Sequence, residues 1–552
     1  MASSDPRAPA IPTGDRARPG GVIRLWLPAA AGVASVAAGL GAAELAAVLA
    51  APADSPELVV GALVIDLVPG WVKDAVVDAF GTGDKTFLLF VLGVLTVVLA
   101  GLAGVLESRR PPLGRVLIAA GGLFGAIAAI TRSSSSELSI IPSIVAAVVA
   151  MLIISALVAR LPRSSASPPD RRILSAVERR SRADAPLPAQ SNGKRPLSRR
   201  GFLVWSGALT AAGVLATFGG RALTAGSNAV IAIRNALKLP QAAVAAPPIP
   251  AGAALDIPGL TRLVTRNDDF YRIDTALQVP EINPHTWSLE ITGMVEKPLK
   301  ITWDELIHLP LEESYTTLAC VSNVVGGDLI SNAKWLGYPI RHLLARAKPL
   351  AGADCVLSTS QDGWTATTPL TALTDGRNAI LAVGMNDQPL PFDHGFPVRM
   401  VVPGLYGYVS ATKWVVKLEV TRFSRASSYW SERGWSVQGP IKLESRIDVP
   451  TGAQSVKAGH VVVAGVAWDQ HVGVSAVEVQ VDDGPWNAAT LAEAIDIDTW
   501  RQWHWEWPDA GKGSHTLTVR ATNAKGEVQT SVQAQPAPNG ASGYDQITVN
   551  VS

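Results

Sequence analysis

The chemistry open to this chain turns on few residues. It has only two cysteines, Cys320 and Cys355, in 552 residues. Two thiols are too few for a disulfide scaffold, a zinc ribbon or a cysteine-ligated iron–sulfur cluster, and no C-x-x-C-H is present for attached c-type haem. A lone thiolate can still supply one soft metal ligand, although the commoner fate of a free cysteine is that of a small buried hydrophobe. Farther along, His394 precedes Arg399 by five residues, and Lys413 follows. Arginine grips phosphate through parallel N–H donors, and lysine acts on it as a point charge. Arg272 is a further cation, for which a surface salt bridge is the plain alternative, as a structural role is for a lone histidine.

These residues fall in a text of short mixed strands and helices, about 260–423. Trp287-Ser288-Leu289-Glu290-Ile291 alternates as a half-buried strand and ends in Thr292-Gly293. Thr302-Trp303-Asp304-Glu305-Leu306 reads as a helix start, with Thr302 as the cap and Glu305 three residues on. Asp354-Cys355-Val356-Leu357 is strand-like, which makes Cys355 a core residue. From about Ser424 the pattern is all β. Residues 477–481 alternate into Asp482-Asp483-Gly484, a hairpin signal, and 515–520 alternate ahead of the turn Asn523-Ala524-Lys525-Gly526. Short strands at this spacing over 424–552 predict an immunoglobulin-like sandwich. Its Trp468, Trp486, Trp500, Trp503, Trp505 and Trp507 are core and interface material rather than catalytic groups.

The text before residue 222 is unlike this. The chain as a whole has a mean hydropathy of +0.24 and 17% charged residues, against about 25% in a typical soluble protein. Its net charge of +1 is a cancellation: residues 1–221 hold 22 Lys/Arg and 14 Asp/Glu, the remainder 25 and 32. That balance fits neither a nucleic-acid-binding chain nor an acidic disordered one. Five nearly uncharged runs, 25–53, 86–106, 113–131, 138–159 and 201–220, each approach the roughly 20 residues that cross a bilayer as a helix. Buried helices of a soluble protein would carry polar faces, which these lack. Arginines before residue 25, at 109–115 and through 160–200 place those loops in the cytoplasm, and the acidic loop 51–85 falls outside. The expectation is a cytoplasmic segment 1–24, five transmembrane helices over 25–221, and everything beyond them outside the plasma membrane of a bacterium. The apolar stretch 58–71, broken by Asp66 and Pro69, is expected to lie on the outer surface. Residues 222–259, rich in Ala and Pro, read as a semi-extended linker. None of the eight histidines lies in a span, so the spans offer no paired-histidine haem site.

Ser198-Arg199-Arg200-Gly201-Phe202-Leu203 resembles the twin-arginine export signal. That machinery carries folded domains, so the signal predicts a cofactor-bearing domain outside. A second resemblance agrees. Thr317-Leu318-Ala319-Cys320-Val321-Ser322-Asn323 resembles the cysteine segment of the sulfite oxidase family of molybdopterin enzymes, and 394–404, His-Gly-Phe-Pro-Val-Arg-Met-Val-Val-Pro-Gly, its H-G-x-P-V-R segment. Thr412-Lys413-Trp414 is similar to the family's following Lys-Trp, and Asn267-Asp268-Asp269-Phe270-Tyr271-Arg272 to its entry segment. Late segments, Asp498-Thr499-Trp500-Arg501 and Pro538-Asn539-Gly540-Ala541, look similar to the family's C-terminal immunoglobulin-like domain, a dimerisation-type module. The resemblance covers about 260–552.

That resemblance implies a multidomain chain of transmembrane helices, then an α+β molybdopterin domain, then an all-β sandwich. It implies Cys320 as the molybdenum ligand. Arg399 and Lys413 would anchor the pterin phosphate, and His394 would bond the pterin or phosphate. Arg272 would sit near the anionic oxygen of the substrate. Asn267, Phe270, Tyr271, Ser360, Ala411 and Thr412 complete the expected cofactor contacts. The implied reaction is oxygen-atom transfer, with electrons passing to a separate carrier or the quinone pool and no haem or iron–sulfur cluster in the chain. Sulfite oxidases commonly have arginines just after the Asn of the cysteine segment; here Val324-Val325-Gly326-Gly327 follows Asn323. This departure leaves room for a neutral S-oxide or N-oxide beside sulfite. The contrasting possibility is a non-catalytic membrane-tethered binding or assembly protein that keeps the fold.

Overall fold

The computed structural model describes residues 25–51, 54–69, 83–132, 137–161, 198–224, 227–452 and 454–552, with isolated positions between 72 and 80. The expected cytoplasmic segment 1–24 and most of the basic loop 160–200 lie outside the described residues. The chain divides into two units, 1–225 and 226–552.

The first unit is helical: α1 Trp26–Ala50, α2 Pro56–Leu67, α3 Asp84–Arg109, α4 Leu113–Ile130, α5 Ile141–Val158 and α6 Arg199–Thr224. Five of its helices are long and apolar enough to cross a membrane, with mean hydropathies of 1.6 to 2.7. Large apolar side chains such as Phe90, Leu152 and Leu215 point outward, while small residues fill the interior, the reverse of a bundle made for water. α1 packs against α3 and α6 backbone to backbone. A Cβ on Gly32 would collide with the Ala100 carbonyl, and one on Gly41 with that of Gly213, the small-residue packing that substitutes for a hydrophobic drive in lipid. Two buried acids are paired near helix ends. Glu107 holds Arg115 at 2.9 Å, and Asp54 holds Arg132 at 2.8 Å and the Ser139 hydroxyl at 2.6 Å. The stretch expected on the surface forms α2, whose Val59 is buried against Ala128 and Ala129 of α4.

The second unit opens differently from expectation. Within the expected semi-extended linker, 227–254 is bound to the domain that follows. α7, Ser227–Ala236, is tied by Arg234, which donates to the carbonyls of Leu390 at 2.7 Å and Pro389 at 2.8 Å. Val244 bridges Glu312, and Ala253 is fully buried. Proline keeps this stretch extended, and an extended backbone can pair with a sheet edge. Two sheets follow. One has the strand order Leu299–Thr302, Ser288–Gly293, Val415–Thr421, Cys355–Ser360, Thr365–Pro369; the other Glu312–Ala319, Ile330–Pro339, Ile380–Met385, Gln388–Pro389, with Arg399–Val401 also paired to Ile380–Met385. The capping box at Thr302 forms: the Glu305 N–H donates to Thr302 Oγ1 at 3.3 Å and the Thr302 N–H to Glu305 Oε2 at 2.8 Å.

The sandwich begins at Glu444, not near 424. Its sheets run Glu444–Val449, Gly459–Trp468, Arg501–Ala510, Thr490–Leu491 and Ser455–Val456, Asp545–Val551, Gly513–Asn523, Val474–Val481, Trp486–Ala488. Much of 424–443 joins the mixed domain instead: Trp430 and Trp435 pack on its core, and Tyr408 donates to the Ser436 carbonyl at 2.7 Å. Trp468 and Trp500 of the sandwich lie in the same core cluster, with the Trp500 indole N–H donating to Leu263 O at 2.8 Å. A shared core makes the two domains one unit.

Candidate active site

Cys320 stands where the strand Glu312–Ala319 ends. Its N–H donates to Leu329 O at 2.9 Å, and its carbonyl accepts from the Asn323 N–H at 3.1 Å, which turns the chain and points the thiol into a cleft of about 890 Å³ including its mouth. Burial pushes the thiol pKa up, while donors from Ser322 and Val321 pull it back. At neutral pH the group is therefore a thiol that a bound metal would deprotonate.

The far side of the cleft comes from one tight loop. The turn Phe392–His394 ends at Gly395, whose φ of +108° is open to glycine, and where a Cβ would press on Arg399 and Lys413. Arg399 is 5% exposed. Its donors reach only carbonyls, Met400 O at 3.3 Å, His394 O at 3.2 Å and Ala411 O at 3.5 Å, and its guanidinium lies 5.1 Å from the Trp335 ring. Among the described residues no carboxylate pairs with it. Burial lowers its pKa to about 10, so it stays charged. A buried cation without a counter-charge is costly, and here an anion on the cleft side would answer it.

Lys413 is nearly buried, with 10% of its side chain exposed. Its Nζ donates to Asp274 Oδ2 at 2.7 Å and Asp393 O at 3.0 Å; burial lowers its pKa to about 8, against the pull of Asp274. His394 is pushed down to about 3 by burial, then by Arg399 and Lys413, and is neutral. Its Nε2 lies 3.1 Å from Asn267 O, which puts the proton on Nε2 and leaves Nδ1 as an acceptor. Ser360 Oγ is buried at the cleft wall without a hydrogen-bond partner. Tyr271 is held protonated by burial and by nearby Cys320, with Arg399 acting in the opposite sense. Phe270 stacks on it at 5.4 Å and meets the His394 ring edge-on at 5.3 Å.

Of the expected residues, Cys320, Phe270, Tyr271, Ser360, His394, Arg399, Ala411 and Lys413 line this one cleft. Three do not. Asn267 supports His394 through its carbonyl and accepts from Asn386 Nδ2 at 2.8 Å. Thr412 is fully buried, its hydroxyl 2.7 Å from that of Ser358. Arg272 turns aside to Asp274 and Asp393. Cys355 is a fully buried strand residue. The structure adds Asp274, Ser322, Asp362, Trp364, Tyr408, Trp414, Trp430 and Trp435 to the lining. Trp430 and Trp435 escape a reading that starts the sandwich at 424, whereas Asp274, two residues after Arg272, was within reach of one.

Among the described residues no three His, Cys, Asp or Glu converge as a metal cage, so a metal at Cys320 would take its other ligands from a prosthetic group. The unanswered Arg399 and Ser360, across from a lone thiol, fit a group that carries both soft metal ligands and a phosphate.

Comparison with known proteins points the same way. Residues 276–430 match the oxidoreductase molybdopterin binding domain and 444–519 a bacterial Ig domain. Mitochondrial sulfite oxidase of Mus musculus is 30% identical over 272 residues, 42% of this chain and 49% of that one. The Homo sapiens protein is 28% identical over 306 residues, 47% and 56%. Nitrate reductase [NADH] 2 of Phaseolus vulgaris is 32% identical over 178 residues, 27% and 20%. The chain spans about half the length of the sulfite oxidases it matches. Among solved structures, the sulfane dehydrogenase SoxCD from Paracoccus pantotrophus is similar over 53% of this chain and 84% of that one, at 21% identity and a TM-score of 0.47.

Proposed function

We propose that this chain is a molybdopterin oxidoreductase of the sulfite oxidase family and transfers an oxygen atom to or from a small sulfur compound outside a bacterial plasma membrane. The observation that carries the reading is the opposition, in one cleft, of the Cys320 thiol and a buried Arg399 that no carboxylate among the described residues pairs. When bound, the molybdenum cofactor supplies the two-electron oxygen-atom transfer.

The chain's own residues do the rest. Cys320 gives up its proton to become the protein ligand. Arg399 and Lys413 hold the phosphate, with the Ser360 hydroxyl as a further donor. Neutral His394, oriented by Asn267 O, offers Nδ1 to an N–H of the pterin. Tyr271 keeps its proton beside Cys320 as a donor. Trp364, Trp430 and Trp435 wall off water. The five apolar helices anchor the enzyme, with the catalytic unit exported by the twin-arginine route, and a one-electron carrier or the quinone pool exchanges electrons with it. The sandwich is the surface for a homodimer.

Metal analysis tests the core of this reading. Protein from a host able to make the cofactor should hold about one molybdenum per chain, and metal-free protein from such a host would overturn it. Sulfite-dependent dye reduction against sulfoxide-dependent dye oxidation fixes the direction. A reporter fused after Ser552 should be active only outside the cytoplasm.

A further inference from the structure

Between Phe270 and Thr275 every residue lines the cleft except Arg272. Two carboxylates draw its guanidinium aside: Nε lies 2.9 Å from Asp274 Oδ2 and Nη1 2.8 Å from Asp393 Oδ1. Asp274 is 5% exposed at its side chain, and the same Oδ2 accepts from Lys413 at 2.7 Å. At this wall two acids therefore offset two cations, and Asp362 adds a carboxylate to the lining. On the reading above, the cofactor's phosphate engages Arg399 and Lys413, so an incoming dianion would meet no further uncommitted cation among the described residues that line the cleft. Ile273, Trp364, Trp430 and Trp435 add apolar surface to the rest of the wall, which holds the uncharged polar groups of Thr275, Ser322 and Tyr408. A compact dianion loses hydration here without repayment in charge, whereas a molecule with a neutral oxide and an apolar flank loses little.

We propose that Asp274 and Asp393 determine specificity. By holding Arg272 off the cleft they set it for a substrate uncharged at its reacting group, a dialkyl or alkyl aryl sulfoxide, and against dianions such as sulfite. The inference rests on the oxygen-atom-transfer reading. In that reaction the sulfoxide loses its oxygen and becomes the sulfide, taking two electrons from a one-electron carrier in two steps and two protons, and releasing water.

The test uses the full-length holoenzyme and Asp393→Asn, which removes a charge from a side chain that is 49% exposed and so spares the core. Sulfate, an unreactive dianion, is titrated against tryptophan fluorescence, and kcat/KM is measured for sulfite with an oxidised dye and for methyl phenyl sulfoxide with a reduced one. Releasing one carboxylate from Arg272 should tighten sulfate binding about tenfold and raise the sulfite-to-sulfoxide ratio by a similar factor, with molybdenum content unchanged. Asp274→Asn should move sulfate binding the same way, and Arg272→Ala added to Asp393→Asn should abolish both gains. Molybdenum-loaded Asp393→Asn with unchanged sulfate affinity and ratio would overturn the specificity role and leave the broader reading standing. So would a wild type that prefers sulfite. Molybdenum-free chain would instead overturn the broader reading, while the sulfate titration still decides whether the two acids hold Arg272 from anions.

Discussion

Two arginines of similar burial, Arg399 in the cleft and Arg446 at the seam between the mixed domain and the sandwich, meet opposite surroundings. Arg446 is fully answered: Nε lies 2.7 Å from Asp448 Oδ1, Nη1 donates to Gly327 O at 2.7 Å and Nη2 to Thr261 Oγ1 at 2.9 Å. Arg399 finds only carbonyls at 3.2–3.5 Å and an aromatic face. The same residue type thus closes a joint in one place and leaves an uncompensated charge beside a cleft in the other. What separates them is whether the protein itself completes the charge. The seam has a counter-example of its own in Glu444, which is 4% exposed with Oε1 unpartnered. Burial, then Asp545, push its pKa up to about 8 against the pull of Lys442.

The comparison can be broken at several points. The largest effect belongs to Cys320→Ser, which should lower molybdenum from about one per chain to background and abolish dye-linked turnover, since no second protein thiol reaches the cleft. Next comes Arg446→Met, which strands Asp448 in the seam. Removing one partner of a buried pair costs about 3–5 kcal/mol, visible as a lower midpoint of thermal unfolding.

Glu444→Gln should act in the other direction. The folded-state pKa of Glu444 lies above its ordinary value of 4.5, so the folded form binds the extra proton, and wild-type stability falls as pH rises from about 4.5 to 8. Glutamine removes that slope and should leave the variant more stable at pH 8 by on the order of 2–4 kcal/mol. A variant with the wild-type pH dependence would show that Glu444 is answered after all. The smallest effect is expected of Arg399→Met in cofactor-free protein. Taking away an uncompensated charge should leave unfolding within about 1 kcal/mol of wild type, yet the variant should fail to retain the cofactor. A loss as large as that of Arg446→Met would erase the distinction between the two arginines.

Much of this was legible in the chain alone. The five apolar runs, the alternating strands of the sandwich, the capping box at Thr302 and the set Cys320, His394, Arg399, Lys413 are all written in short windows, where hydropathy, periodicity or a local motif carries the signal. The boundary at 424 missed because Trp430 and Trp435 sit in a stretch with no strand or helix pattern of its own, and only their packing on the mixed domain shows where they belong. The linker missed for a related reason. Ala and Pro describe an extended chain, and extension does not say whether a sheet edge lies alongside it.

The amino-acid order by itself determined the succession of domains, the apolar helices and the residue types available for chemistry, because each depends on neighbours a few positions apart. Only the tertiary structure decided which of those residues share a cleft, that Asp274 and Asp393 hold Arg272 out of it, and that Arg399 is left unanswered while Arg446 is not. A buried charge is settled by partners brought in from distant parts of the chain, and no local window contains them.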